Sequence, residues 1–340
     1  MKKPVLSYQK KLPIQNELTT IGHAPAAVIF YDQKLTKFTF FKQWLRQFSL
    51  KIPLKAGESL KTLSSYEDCL TKLQKIPISK QTVFVAVGGG SIGDFVGFLA
   101  STYQRGKPLV HIPSTWLSAV DSAHGGKNGL NFLKAKNQIG TFYSAQKIFL
   151  CQELLFSQPH VNMQDAFGEV IKIAFINRPA LLNDLEIATD FIWKNLKTLV
   201  DAKYEIVKKD PYEAKGIRQL LNLGHTMGHV FESAHGLSHG QSILLGLLFS
   251  LRWSHQKKYL STVDFYKLCG LIFAVPLQLH YAKALHLPDA KIKTLLAKDK
   301  KATSAQNLRF VFLRRAGKTF IQNVPFKELL SEIQRQRKEL

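Results

Sequence analysis

Two short apolar runs, residues 26–31 (Ala-Ala-Val-Ile-Phe-Tyr) and 82–87 (Thr-Val-Phe-Val-Ala-Val), show no alternation and stop abruptly, one at Asp32 and the other at Gly88-Gly89-Gly90. Uninterrupted apolar runs of this length, rich in β-branched and aromatic residues, predict strands covered on both faces, as in a parallel sheet. After the glycines the period changes: Ile92, Val96, Leu99 and Tyr103 recur at helical spacing, and residues 108–112 predict the next strand. Strand, glycine turn, helix and strand form the unit from which parallel α/β sheets are built. Beyond about residue 155 helical periodicity takes over, at residues 164–176, 182–208, 220–233 and 242–253. Ser157-Gln158-Pro159 separates the two textures, so the sequence predicts two domains, 1–157 and 158–340.

Composition supports globular folding: 45% of the 340 residues are hydrophobic and 21% charged, which excludes disordered and collagen-like classes. The longest apolar stretch, residues 243–251, falls well short of the roughly 18 residues of a membrane span. Lys2 and Lys3 resemble the opening of a signal peptide, but Gln9, Lys10 and Lys11 interrupt any apolar core, so the expectation is a cytoplasmic chain. Cys69, Cys151 and Cys269 are odd in number and far apart, which disfavours a disulfide framework or a cysteine metal site. Lysine and arginine outnumber aspartate and glutamate by 47 to 24, a net charge of +23 that favours anionic partners. The basic residues are scattered, which points to a generally basic surface and disfavours a nucleic-acid arm.

Three stretches could carry chemistry. Val87-Gly88-Gly89-Gly90-Ser91-Ile92-Gly93-Asp94 joins a predicted strand to a predicted helix, so backbone N–H groups could face a pyrophosphate. The acid that usually holds a ribose about 20 residues later is missing, which leaves Asp32 or Glu58 for that task. Asn222, His225, His229 and Glu232 stand three and four apart, as on one helical face, and His239 follows. With Glu169 and Lys172 upstream, two histidines and one carboxylate could form an open zinc site. Residues 121–129 and 134–140 place Lys127, Lys134 and Lys136 among glycines, as in loops that bring cations to oxyanions.

The ordered series Gly57-Glu58-x-x-Lys61, Gly88-Gly89-Gly90-x-Ile92-Gly93-Asp94, Tyr103-Gln104-Arg105-Gly106, Pro113-Ser114-Thr115, Val120-Asp121-Ser122, Gly125-Gly126-Lys127, Lys136-Asn137, Gly168-Glu169-Val170-Ile171-Lys172, Asn222-Leu223-Gly224-His225-Thr226-x-Gly228-His229, His239-Gly240 and Asp299-Lys300-Lys301 resembles the 3-dehydroquinate synthase family. The resemblance implies a Rossmann-like NAD-binding domain followed by a mainly helical metal-binding domain, both contributing to the active site, usually in a homodimer. It implies zinc or cobalt on Glu169, His225 and His239, and gives His229 a catalytic, phosphate-binding role. It implies NAD contacts from Glu58, Lys61, Gly89, Gly90, Asp94, Ser114 and Thr115, with Lys136 beside them. Lys127, Asn137, Lys172, His229 and Lys300 would surround a substrate phosphate, with Arg105 arriving from a second subunit. Asp121, Lys203, Arg218 and Asn222 would hold hydroxyls and a carboxylate.

The implied reaction converts 3-deoxy-D-arabino-heptulosonate 7-phosphate to 3-dehydroquinate and phosphate in the shikimate pathway. The alternatives are another sugar phosphate cyclase, or an NAD- and metal-dependent polyol dehydrogenase of related fold. Four departures from the family pattern stand out: Asn128-Gly129-Leu130-Asn131 in place of Thr-Ala-Val/Ile-Asn, Ala135 in place of a glycine, Ser144-Ala145 in place of Gln-Pro, and Gln241 in place of a glutamate.

Overall fold

The computed structural model describes residues 3–19, 21, 26–133, 135–297 and 307–340, which divide into two compact units, Met1–Pro159 and His160–Leu340. The first unit carries strands β1 (Val5–Gln9), β2 (Ala27–Asp32), β3 (Lys51–Leu54), β4 (Val83–Gly88), β5 (Leu109–Pro113), β6 (Lys127–Phe132), β7 (Ala135–Phe142) and β8 (Lys147–Cys151). Its helices are α1 (Gln15–Thr19), α2 (Thr39–Leu45), α3 (Leu63–Leu73), α4 (Gly90–Thr102) and α5 (Gln152–Phe156). Six strands form one sheet in the order β1-β8-β5-β4-β2-β3, and every pair is parallel. The apolar runs become its central strands: residues 27–31 of β2 and all of β4 and β5 are buried. Pro53, which cannot donate to a ladder, sits on the edge strand β3.

From β2 the chain steps outward to β3 and then returns to β4 on the other side of β2, so the order of strand addition reverses between β2 and β4. Open parallel sheets bind ligands outside the carboxyl ends of their strands at such a reversal. Asp32 and the Gly88-Gly89-Gly90 turn both end at that point, since Tyr31 pairs with Val87.

The second unit is helical apart from one hairpin. Its elements are α6 (His160–Asn177), α7 (Thr189–Lys209), α8 (His225–His235), α9 (His239–Gln256), α10 (Thr262–Phe273), α11 (Tyr281–Leu285), α12 (Asp289–Ala297), β9 (Asn307–Arg315), β10 (Lys318–Pro325) and α13 (Phe326–Lys338). Helix α9 is buried on nearly its whole circumference, as expected of a helix apolar all round. Its Trp253 stacks edge-on against Phe310 and Phe312 of β9, with ring centroids 4.6 and 5.1 Å away.

The structure corrects the periodicity in three places. The helix expected over residues 182–208 starts only at Thr189, after a separate short turn at Pro179–Leu182. The pattern over 220–233 is broken: Ile217–Asn222 is a 3-10 turn, Gly224 adopts a left-handed φ of 78°, and α8 begins at His225. Asn222 therefore does not share the α8 face with His225 and His229. Of the stretches expected as cation-bearing loops, 121–129 and 134–140, much is strand instead: Lys127–Phe132 and Ala135–Phe142 pair antiparallel as β6 and β7. Gly140 faces Asn128 there, and a Cβ on it would lie 2.9 Å from that residue's carbonyl oxygen, so the glycine serves close strand approach. Among the described residues, no helix is long and apolar enough to cross a membrane.

Candidate active site

In the first unit the predicted nucleotide residues gather at the carboxyl end of the sheet. Gly88 lies so close beneath Ile92 that a Cβ would meet its Cγ1 at 2.5 Å, which packs β4 tightly against α4. Gly89, the residue before α4, offers no side-chain cap, so the first amide groups of this 13-residue helix face outward from the sheet's reversal. That is a cradle suited to a pyrophosphate. Ser114 follows β5 and donates its N–H to the Gly88 carbonyl at 3.0 Å, while the Thr115 hydroxyl accepts from the Ser118 N–H at 3.1 Å beside Gly89. Asp32 accepts from the Lys34 N–H at 3.1 Å, so its carboxylate is already engaged in ending β2.

Glu58 and Lys61 follow β3 at the same end. The buried Lys61 ammonium donates to Asp94 Oδ2 at 2.7 Å and to Asn137 Oδ1 at 2.5 Å, and Glu58 accepts from Asn131 at 2.8 Å. Lys61 thus ties α4 to β7. Asn137 is held in a left-handed conformation, φ 53°, with its N–H bonded to Asn131 Oδ1 at 2.9 Å. Lys127 and Lys136 are exposed on the hairpin, Asp121 is half-buried in a single π-helical turn, and Arg105 is exposed in the turn after α4.

In the second unit, glycines bring three helices together backbone to backbone. A Cβ on Gly168 of α6 would lie 2.4 Å from the Gly240 carbonyl oxygen, and one on Gly240 of α9 only 1.6 Å from that of Asp165. Between α8 and α9, a Cβ on Gly246 would lie 1.9 Å from the Gly224 oxygen, and one on Gly228 3.0 Å from that of Ser242. The Asp165 carboxylate accepts from the Gly240 N–H at 2.7 Å and from the Ser238 hydroxyl at 2.6 Å, capping α9 from the neighbouring helix. These contacts assemble Glu169, His225 and His239, whose ligand atoms all lie within 4.8 Å of one another.

Their orientation suits a cation. His225 Nδ1 faces the Leu223 carbonyl at 3.2 Å, which turns Nε2 toward Glu169 Oε1, 3.6 Å away. His239 Nδ1 faces Glu232 Oε2 at 3.2 Å, which turns its Nε2 toward the same Glu169 oxygen at 3.3 Å. A carbonyl or carboxylate on Nδ1 fixes the tautomer with the Nε2 lone pair directed inward, the usual arrangement of a metal-binding histidine. Burial opposes charge on His239, but hydrogen bonds and negative charge from Glu169 and Glu232 outweigh it and raise its pKa to about 10. The negative charge of Glu169 and Glu232 that drives this shift also favours a cation, so the donor set fits a divalent ion. A second grouping, His229, Glu232 and His239, shares His239. Since Glu232 is engaged with Nδ1, it reads as the residue that aims His239. The sequence placed Glu232 on the right face without that task.

The surrounding cations are placed separately. Lys172, 2% exposed, forms an ion pair with Glu169 one helical turn away. Lys203 is buried on α7. Arg218 is buried in the 3-10 turn, where its guanidinium donates to the Pro211 carbonyl at 2.9 Å. Asp210 organises that turn by accepting from the N–H groups of Lys215 at 3.0 Å and Arg218 at 3.1 Å. Burial raises its pKa, and these backbone bonds overcome it to keep the carboxyl below its ordinary value. Nothing in the sequence reading pointed to Asp210 or Asp165. Lys300 lies outside the described residues.

Three departures have local explanations. Asn128 is buried with its amide donating to the carbonyls of Gly126 and Tyr143 at 3.1 and 2.8 Å, and its Oδ1 occupies the space where a Cβ on Gly97 would be, 1.9 Å away. Ala135 has no left-handed φ and so does not require glycine. The Gln241 amide donates to the Pro276 carbonyl at 2.9 Å and accepts from the Gln278 N–H at 2.9 Å, a pairing a carboxylate could not complete.

Solved structures of sugar phosphate cyclases share this fold. A 2-epi-5-epi-valiolone synthase from Streptomyces hygroscopicus with NAD+ and Zn2+ bound matches all of this chain and 98% of its own, with a TM-score of 0.85 at 18% identity. A 2-deoxy-scyllo-inosose synthase complexed with carbaglucose-6-phosphate, NAD+ and Co2+ matches 97% of this chain and 98% of its own, with a TM-score of 0.80 at 21% identity. Residues 51–165 match the family described as 3-dehydroquinate synthase N-terminal, and residues 166–302 the one described as 3-dehydroquinate synthase C-terminal. The 3-dehydroquinate synthase of Coxiella burnetii is 31% identical over 287 residues, 81% of this chain and 79% of that relative. The chain belongs to the 3-dehydroquinate synthase family.

Proposed function

We propose that the chain is a 3-dehydroquinate synthase, which converts 3-deoxy-D-arabino-heptulosonate 7-phosphate to 3-dehydroquinate and phosphate with NAD and a divalent metal, as a cytoplasmic homodimer. The observation that carries this reading is the convergence of Glu169, His225 and His239 beside His229 in a chain of this family. The first unit would bind NAD through the α4 turn, Ser114, Thr115 and the Glu58–Lys61–Asp94 group, with Asp32 and Lys136 at its margin. Glu169, His225 and His239 would hold zinc or cobalt. When bound, NAD supplies a reversible hydride acceptor and the metal supplies Lewis acidity at substrate oxygens.

The protein's own groups then have defined tasks. His229, with its ring centroid 5.3 Å from that of His225, is the group to move the proton that accompanies loss of phosphate. Lys127, Asn137, Lys172 and Lys300, with Arg105 from a second subunit, would stabilise the departing dianion, together worth several kcal/mol in a closed site. Asp121, Lys203, Arg218 and Asn222 would orient hydroxyls and the carboxylate. NAD held by those residues would supply reversible hydride acceptance with no net redox change, as conversion of the heptulosonate phosphate to a carbocycle and free phosphate requires.

The test is phosphate release from the heptulosonate phosphate, with and without NAD and zinc. Turnover that needs both and accumulates no reduced nicotinamide supports the proposal. Stoichiometric NADH without phosphate would make the chain a polyol dehydrogenase. Phosphate release only from a different sugar phosphate would make it another cyclase.

A further inference from the structure

Lys107 is completely buried in the first unit, yet among the described residues no carboxylate pairs with it. Its ammonium donates to two neutral oxygens, the Ser79 carbonyl and Gln104 Oε1, each at 2.6 Å, and lies 5.7 Å from the centre of the Tyr103 ring. Burial, with the charge of Lys80 added, holds its pKa below the ordinary lysine value. A buried ammonium on neutral acceptors alone is expensive, and a methionine or leucine would fill the same space without that penalty.

The residues it grips are strained. Gln104, Arg105 and Gly106 stand in succession at φ values of 47°, 66° and 122°, and two of them carry side chains that disfavour this region. The turn is closed on every side. Gly106 N–H donates to the Tyr103 carbonyl at 3.0 Å, Lys107 N–H to that of Ala100 at 2.8 Å, and the Tyr143 hydroxyl to the Lys107 carbonyl at 2.7 Å. The backbone of Lys107 thus anchors the turn's end, while its side chain reaches back to seize Gln104 at its start. The exposed residue between them is Arg105.

We propose that Lys107 is a positioning residue: by clamping Gln104 to the Ser79 carbonyl it locks the left-handed turn that presents Arg105 for phosphate. The substrate role of Arg105 rests on the function proposed above, but the clamp itself does not. Lys107→Met keeps the packing volume and removes the donor.

In the holoenzyme, amide exchange in the segment spanning residues 103–108 should quicken about 10-fold in Lys107→Met, the loss expected when hydrogen bonds from a charged group are removed. In the Arg105 background, Lys107→Met should lower kcat/KM for phosphate release about 10-fold. In an Arg105→Ala background it should lower it less than about 2-fold, because the clamp acts only through that side chain. Unchanged exchange, or equal losses in both backgrounds, would overturn the proposal. Faster exchange with an inactive wild type, or with a fully active Arg105→Ala, would instead refute the function given to Arg105 and leave the clamp standing. Should Lys107→Met fail to fold, Gln104→Leu cuts the same clamp from its exposed end and must give the same pattern.

Discussion

Two glycine-to-alanine substitutions on helices of the same unit should shift stability in opposite directions. Gly240 is the second residue of α9, and an added Cβ would sit 1.6 Å from the Asp165 carbonyl oxygen, 2.6 Å from its carbonyl carbon and 2.8 Å from Oδ1. Cβ atoms essentially never make non-bonded contacts under 3.0 Å, so α6 and α9 must separate by about 1.4 Å or more. The obstacle is backbone, which cannot rotate aside. Overpacking of this kind costs about 1–3 kcal/mol or more. The same displacement lengthens the 2.7 Å cap from Gly240 N–H to Asp165 and moves His239 away from Glu169. Metal sites tolerate only about 0.2 Å in their bond lengths, so zinc affinity should fall by at least about 10-fold.

Gly270 on α10 is the control, because no atom lies within 4 Å of where its Cβ would go. Relief of backbone entropy there should stabilise the protein by roughly 0.5–1 kcal/mol with zinc affinity unchanged. Urea unfolding and chelator competition for zinc measure both quantities on both variants. Gly240→Ala with wild-type stability and zinc affinity would refute the argument that backbone contact between α6 and α9 builds the centre.

His225→Ala should lower zinc occupancy by about 10-fold or more, whereas His229→Ala should keep the metal and slow phosphate release by about 100-fold. Elemental analysis with a phosphate assay decides, and equal zinc loss in both variants would make His229 a ligand. Glu232→Gln should weaken zinc binding by about 10- to 100-fold through the misaimed His239 ring, and a competition titration that shows no change would remove Glu232 from that task. His111, buried on β5 beside Gly93, is held by burial at a pKa of about 4. It is neutral in the fold, so its contribution is intact above the unfolded value near about 6.5 and is lost as the pH falls toward 4, on the order of 3 kcal/mol. Urea midpoints at neutral and acid pH should therefore diverge less in His111→Gln than in the wild type, and identical slopes would contradict the shift.

Much of this molecule is legible in its sequence because the signals are local. Unbroken apolar runs ending in Asp32 and Gly88 predicted strands covered on both faces, and three-and-four spacing marked helices of the second unit. Residue chemistry marked an open set of two histidines and one carboxylate, and the resemblance carried by the ordered motifs assigned it to Glu169, His225 and His239. Even so, spacing alone placed Asn222 on the wrong face, since Gly224 breaks the helix by a left-handed turn that periodicity does not register. The β6–β7 hairpin escaped notice because glycine serves both loops and closely approaching strands, and only the partner strand distinguishes them.

Tertiary structure decided everything that depends on distance between groups remote in the chain. Glu169 and His239 meet because Gly168 and Gly240 let two helices touch at the backbone. The Leu223 carbonyl and the Glu232 carboxylate, each bonded to Nδ1, choose which nitrogen of His225 and His239 faces inward. Asp165 caps a helix other than its own, and Lys107 spends a buried charge on a turn. A sequence encodes periods and donor types through short-range sterics and propensity. Ligand spacing, tautomer and strain are properties of packed surfaces, and they exist only once those surfaces meet.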